Sequence, residues 1–336
     1  MSNTNTQIKL AARPTGLPGP ECWKIDSSDR PTPEDGEVLL QILQISLDPA
    51  MRGWMNEARS YVPPVRINQV MRALTLSRVI ESKSSELSVG DLVTGSQGAQ
   101  EYCVAKPSEL TRVDPNLAEP SKYLSVLGMT GMTAYFGLFD VGLPKAEDVV
   151  VVSGAAGAVG QIVGQLAKIH GCKTIGIAGG PEKCKYLTDE IGFDHAIDYK
   201  SQNVAKEIRR HAKKGLDVYF DNVGGEILEA ALFNLNRGAR IVICGAISQY
   251  NTTDVQGPRN YLSLLVNRAR MEGMVVFDYA DRYGEAVQKM AGWLKEGKLK
   301  SREDIVQGKV TDFPDTLLKL FSGDNFGKLI LEIAPL

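Results

Sequence analysis

The stretch Val149-Val150-Val151-Val152-Ser153-Gly154-Ala155-Ala156-Gly157-Ala158-Val159-Gly160 limits what this chain can fold into more than any other. Four valines in a row read as a strand buried on both faces, as in a parallel sheet covered by helices. Small residues then turn the chain, and Ala158–His170 continues as a helix. A diphosphate needs that shape. Glycine and alanine let the backbone come close, and the helix N-terminus supplies N–H donors and partial positive charge. A tight strand–helix turn without a ligand is the plainer alternative. Context decides between them. Beyond the turn, the strands Lys173–Ala178, His195–Ile197, Asp217–Phe220 and Ala239–Gly245 alternate with the helices Pro181–Ile191, Val204–Ala212 and Glu226–Leu235. The alternation predicts an α/β fold with a doubly wound parallel sheet.

Residues before Gly128 have a different texture. Glu37–Ile45, Leu74–Ile80 and Tyr102–Ala105 read as strands, and Asp91–Gly95 as a turn into another. Thr130–Val141 carries a helical pattern, and the tail Lys328–Ile333 is strand-like. A chain of 336 residues suits two domains. We expect a small β-rich domain over 1–127, completed by 310–336, and a nucleotide-binding domain over 128–309.

The tip of the second strand bears on the nucleotide. An NAD site places an acid there, about 20 residues after the turn, to hold the ribose 2′-hydroxyl. Here the strand ends Ile177-Ala178-Gly179-Gly180-Pro181-Glu182-Lys183. Small residues leave room for a 2′-phosphate, with Lys183 as its counter-charge, and NADPH is the expected cofactor. The alternative for Lys183 is a solvated helix lysine.

Composition narrows the partners. Net charge is −2, and the densest basic stretch, Arg209–Lys214, reads as the solvated end of a helix. No nucleic-acid partner is expected. No apolar run of about 18 residues is present, so no membrane-spanning helix is expected. The start, MSNTNTQIKL, is polar and lacks the apolar segment of a secretory signal. Cys22, Cys103, Cys172, Cys184 and Cys244 form neither a disulfide framework nor a C-x-x-C, and His170, His195 and His211 share no ligand spacing with them. A reducing cytoplasm and no metal site are the expectation.

Together these residues resemble a known family, the zinc-independent medium-chain dehydrogenase/reductases. The branch they match is the NADPH-dependent alkenal and enone double-bond reductases. The stretches that carry the resemblance are SLDPAMRGWM (46–55), SYVPPV (60–65), VMR (70–72), GDLVTG (90–95), VLGMTGMTAYFGL (126–138), GAAGAVG (154–160), FDNVGGE (220–226), CGAISQYN (244–251) and GDNFGK (323–328). The resemblance implies a GroES-like catalytic domain with a Rossmann domain inserted into it, and a cytoplasmic homodimer paired through Rossmann sheet edges. It also implies cofactor contacts. Gly154, Ala155, Ala156, Gly157, Ala158 and Val159 fall at the diphosphate, and Gly180, Lys183 and Tyr199 at the 2′-phosphate end. Asn222, the segment Cys244, Gly245, Ala246, Ile247, Ser248 and Tyr250, then Met274, Val275 and Val276 follow later strand tips. Asn325 reaches the nicotinamide end. Asn222 also suits a helix N-cap, and Asn325 an ordinary turn.

Reduction of an enone by hydride transfer to the β-carbon needs a hydrogen-bond donor on the carbonyl oxygen, where negative charge develops. Tyr61 in SYVPPV is the first candidate and Tyr261 the second, beside the cofactor's ribose hydroxyl. The resemblance implies that Ala50, Arg52 and Trp54 fall at the substrate pocket, with a structural, loop-holding role the favoured reading for Arg52 and substrate contact its alternative. Relatives carry tyrosine at the place of Ala50, and glycines after the V-M-R stretch where this chain has Ala73-Leu74. The substrate therefore cannot be carried over. A quinone reductase and a non-catalytic NADPH-binding protein are the alternatives.

Overall fold

The computed structural model describes residues 3–336. The chain opens on an antiparallel pair, β1 (Thr4–Leu10) with β2 (Trp23–Asp29), in register from Thr4↔Asp29 to Leu10↔Trp23. Ile8 and Leu10 alternate inward and are fully buried. β3 (Val38–Ser46) is buried almost throughout and pairs antiparallel with both β4 (Thr75–Ser82) and β6 (Tyr102–Ala105). The short helix α1 (Ala50–Trp54) follows β3. β5 (Leu92–Gly95) and β7 (Thr111–Arg112) extend the sheet beyond β4.

A second unit begins at Ser125. Its helix α2 (Met129–Phe136) passes into a π-helical turn over Gly137–Gly142, where the continuous helix expected over Thr130–Val141 loosens. Gly137 lies so close to the Phe220 ring that a side chain there would collide with it. The parallel sheet follows. Its strands are β8 (Val149–Ser153), β9 (Lys173–Ala178), β10 (His195–Asp198), β11 (Leu216–Asp221), β12 (Leu235–Ile243) and β13 (Arg270–Gly273), in the spatial order β10-β9-β8-β11-β12-β13. Every pairing is parallel. The order reverses between β8 and β11, and ligands of open parallel sheets bind at that switch point. Val150, Val151 and Val152 are fully buried in the middle of the sheet, as a strand covered on both faces must be.

The crossover helices are α3 (Gly160–Ile169), α4 (Pro181–Lys185), α5 (Val204–His211) and α6 (Gly225–Leu232). Asn203 caps α5, its side chain accepting from the Lys206 amide at 3.0 Å. α4 runs on as a π-helical turn over Tyr186–Glu190, within the helix expected to Ile191. β12 starts at Leu235 and ends at Ile243, whereas Ala239–Gly245 was the strand expected. It stops early because the amides of Cys244 and Gly245 both turn to the Asp221 carbonyl, at 3.0 and 3.1 Å. α7 (Leu262–Asn267) and α8 (Tyr283–Lys295) complete this unit at Arg302.

The chain then returns to the first unit, which comprises the residues up to Leu124 and Glu303–Leu336. β14 (Glu303–Gln307) lies parallel to β15 (Lys328–Glu332), and α9 (Phe313–Ser322) joins them. β15 pairs antiparallel with β3, so the returning C-terminal segment joins the sheet built on β3. Phe313, Leu317, Leu329 and Leu331 fill the same core as Leu40, Ile42 and Val79.

Candidate active site

The glycine turn sits at the tips of β8 and β11. Gly154 takes φ +57°, in the left-handed region that suits glycine. A side chain at Gly160 would run into the Gly154 carbonyl and the Ala155 backbone, so only glycine lets the turn close against the first turn of α3. Ala155 is fully buried and its amide donates to the Ile177 carbonyl at 3.0 Å. Ala156 is buried, while Gly157, Ala158 and Val159 are half-buried ahead of the helix. The leading N–H groups of a helix have no partner within it. Here the amides of Gln161, Ile162 and Val163 already donate to the Gly157 and Val159 carbonyls, and the small residues ahead of them leave the backbone approachable.

A buried polar knot holds this turn. Asp221, at the end of β11, is 1% exposed. One of its oxygens, Oδ1, accepts from the Ser153 hydroxyl (2.9 Å), the Tyr219 hydroxyl (3.0 Å) and the amides of Val223 (3.1 Å) and Gly224 (2.9 Å). Burial raises the Asp221 pKa, and the hydrogen bonds from Gly224, Val223, Ser153 and Tyr219 pull against it. The Asn222 side-chain amide donates to the Ser153 carbonyl at 2.8 Å, and its backbone amide to the Ser153 hydroxyl at 2.9 Å. Asn222 therefore clamps the two strand tips together, and its side chain does not cap α6. Losing one such buried partner costs about 1–3 kcal/mol.

The later strand tips continue the edge. Ile247 and Ser248 amides donate to Asn222 and Val223 carbonyls at 3.2 Å each, and the Ser248 hydroxyl donates to Val223 at 2.6 Å. The Tyr250 hydroxyl accepts from the Ala246 amide at 3.2 Å, close over Gly245. Burial pushes the Cys244 thiol up to about 12, so Cys244 is no nucleophile at neutral pH. Met274 and Val276 are 9% exposed, Val275 lies between them, and the Met274 amide donates to Ile243 at 3.1 Å.

At the tip of β9, Ala178-Gly179-Gly180 carries no acid. Lys183 is half-buried on α4, and the Tyr199 ring lies against Gly179. The acid nearest in the fold is Asp198 at the end of β10. Its carboxylate is turned into its own loop, accepting from the amides of Gly180 (2.8 Å) and Lys200 (3.0 Å) and the Ser201 hydroxyl (2.8 Å). The Gly180 hydrogen bond is the main cause that lowers its pKa. Room, a half-buried cation and an occupied carboxylate suit a ribose phosphate better than a bare 2′-hydroxyl.

The remaining candidates lie elsewhere. Tyr261 precedes α7 and is 60% exposed. In the other unit, Tyr61 is 55% exposed on the 60–65 loop, which the Val65 amide ties to the Trp54 carbonyl at 2.8 Å. Ala50 opens α1. Arg52 is buried and is spent on structure: it donates to the carbonyls of Gly16 (2.8 Å) and Pro14 (3.2 Å) and to the Asn56 side chain (2.6 Å). Trp54 is buried, and among the described residues its indole N–H has no hydrogen-bond partner. The Arg72 guanidinium lies over the Trp54 ring, 5.4 Å from its centre. The Asn325 side chain donates to the Gly327 carbonyl at 3.1 Å, closing its own turn.

Two family models match the chain, one described as the N-terminal domain of oxidoreductase over residues 6–113 and one as zinc-binding dehydrogenase over residues 158–292. The chain is 41% identical to the NADPH-dependent curcumin reductase of Escherichia coli (strain K12), across 98% of its own length and 97% of that protein's. The chain belongs to the medium-chain dehydrogenase/reductase family, in the branch of the curcumin and alkenal reductases. With the NADP(+)-dependent 2-alkenal reductase of Nicotiana tabacum it shares 37% identity over 98% of each chain. The crystal structure of CurA from Vibrio vulnificus in complex with NADPH matches at a TM-score of 0.93 and 43% identity, covering 98% of this chain and 100% of that one. This member of the branch is an oxidoreductase. Among the described residues no three His, Cys, Asp or Glu side chains group as a metal ion would need, and no helix is long and apolar enough to cross a membrane.

Three residues were not among the sequence candidates. Ser153 and Asp221 look like ordinary strand ends until the fold puts both at one switch point. Arg72 had a signal: a single basic residue within the apolar run Val70-Met71-Arg72-Ala73-Leu74.

Proposed function

We propose that the protein reduces the carbon–carbon double bond of α,β-unsaturated ketones and aldehydes with NADPH. The observation that carries this reading is the switch-point turn, with its close-packed Gly154–Gly160 approach and a β9 tip whose own residues Ala178-Gly179-Gly180 carry no acid, near Lys183, with the neighbouring Asp198 carboxylate occupied by its own loop. The relatives named for curcumin and 2-alkenal reduction support the substrate class. Bound NADPH supplies the hydride. Gly154 to Val159 hold the diphosphate, Gly180, Lys183 and Tyr199 the 2′-phosphate end, and Asn222, the Cys244–Tyr250 segment and Met274–Val276 flank the rest of the dinucleotide. Asn325 serves the nicotinamide end. Tyr61 donates a hydrogen bond to the substrate carbonyl oxygen and stabilises the enolate that forms there. Tyr61 is 55% exposed. Tyr261 is the second donor candidate, and Ala50 and Trp54 shape the pocket.

The assembly we propose is a homodimer joined along Rossmann sheet edges. β13 ends the six-stranded sheet, and α7 beside it exposes Leu262 (58%), Leu265 (74%) and Val266 (65%). Exposed apolar groups beside an unpaired edge suit a protein interface. All five cysteines are free thiols, which fits a cytoplasmic location. The function is tested by NADPH consumption with an enone and identification of the saturated ketone as product. Consumption with a quinone alone would replace this reading by quinone reduction.

A further inference from the structure

Arg72 is a cation without a counter-ion. Among the described residues no carboxylate pairs with it, and its one hydrogen bond goes to the Pro63 carbonyl at 3.0 Å. It is half-buried, and burial holds its pKa below the ordinary arginine value. The guanidinium lies over the Trp54 ring, 5.4 Å from its centre, within the range of a cation–π contact. Arg72 lines a cavity of about 350 Å³ together with Val65, Val70, Gln69, Ser96 and Gln97. No acidic residue lines it. The same cluster grips the Tyr61 loop, because Arg72 holds Pro63 and the Trp54 carbonyl holds Val65. An unpaired guanidinium held over an aromatic ring, at the lining of a cavity with amide and hydroxyl groups, can take a planar anion in two parallel hydrogen bonds.

We propose that Arg72 and the cavity it lines form a carboxylate subsite, so that the preferred substrates are unsaturated ketones or aldehydes carrying a carboxylate. This rests on the double-bond reductase reading and adds the charge of the substrate to it. Val65 and Val70 receive the apolar body of the molecule, and the Arg72 fork receives the carboxylate.

The probes are para-carboxybenzalacetone and its methyl ester, which share one enone and differ in charge. Their kcat/KM ratio is measured in the wild type, in Arg72→Gln and in Arg72→Lys, so that general damage to a variant cancels within each protein. The wild type prefers the acid by about tenfold or more, Arg72→Gln brings the ratio near one, and Arg72→Lys falls between, since it keeps charge and loses the planar fork. Calorimetric titration with para-carboxybenzylacetone and its methyl ester, the saturated counterparts, reads the same preference as binding, without turnover. A ratio near one in the wild type, or a ratio unchanged in Arg72→Gln, overturns the subsite. A variant that changes the NADPH dissociation constant while keeping the acid-to-ester ratio overturns it too. Failure to reduce either enone, with the binding preference intact, removes the double-bond reading and leaves the subsite standing.

Discussion

Lys328 Nζ lies 2.6 Å from Asp48 Oδ1 and 2.8 Å from the Leu47 carbonyl, with Lys328 only 1% exposed. The pair fastens β15 to the segment that leaves β3, and so stitches residues 280 positions apart into one sheet. Asp48 comes from the SLDP stretch and Lys328 from the GDNFGK stretch, so two of the motifs that mark the family meet in a structural bond. Breaking a buried pair from one side strands the other charge. Asp48→Ala is predicted to cost on the order of 3 kcal/mol in guanidinium unfolding. The double variant Asp48→Leu with Lys328→Met should recover most of that loss, and a double-mutant cycle measures the coupling.

Lys183 is predicted to set cofactor preference. Lys183→Ala should weaken NADPH binding by about tenfold, the size of one charge-assisted contact, and leave NADH binding within about twofold. Fluorescence titration with both cofactors checks it. No loss for either would make Lys183 a solvated helix residue.

The parallel sheet was legible because Val149–Ser153 and its successors are apolar runs of strand length separated by helical patterns. The doubly wound architecture follows from that alternation alone. The hairpin of β1 and β2 was not legible, since Trp23–Asp29 is mostly polar and exposed and only its partner carries a clear alternation. The π-helical turns were invisible for a different reason. They depend on what lies across the contact, such as the Phe220 ring against Gly137. At the site, the turn glycines announced themselves, because their backbone needs are local. Ser153 and Asp221 did not, because their roles depend on each other across 68 positions of chain; Arg72 left only the faint signal of one basic residue in an apolar run.

The His195 and His211 rings stack at 3.9 Å, and His211 also faces Glu207 at 3.6 Å. Burial first, and the His195 ring second, lower the His211 pKa, while Glu207 opposes them. The unfolded chain therefore takes up a proton near 6.5, before the folded one does. Stability from this group is full above about pH 6.5 and is lost as pH falls through the lower folded value. Melting temperature should drop between pH 7 and pH 5 less steeply in His211→Gln than in the wild type, as thermal scans across that range will show.

Tyr61→Phe removes the hydroxyl proposed to hold the enolate oxygen and keeps the ring. Turnover of an enone should fall by about 10²–10³, the cost of one oxyanion donor, with the NADPH dissociation constant unchanged. Tyr261→Phe in parallel separates the two tyrosines, and the variant with the larger fall in kcat marks the donor.

The most direct measurement follows the hydride itself. The protein is given an enone with NADPH deuterated at the transferable position, and the product is read by NMR. The account predicts a saturated ketone bearing the deuterium on the former β-carbon, with NADPH far better than NADH. Deuterium on a carbinol carbon, with the double bond intact, would mean carbonyl reduction and contradict it.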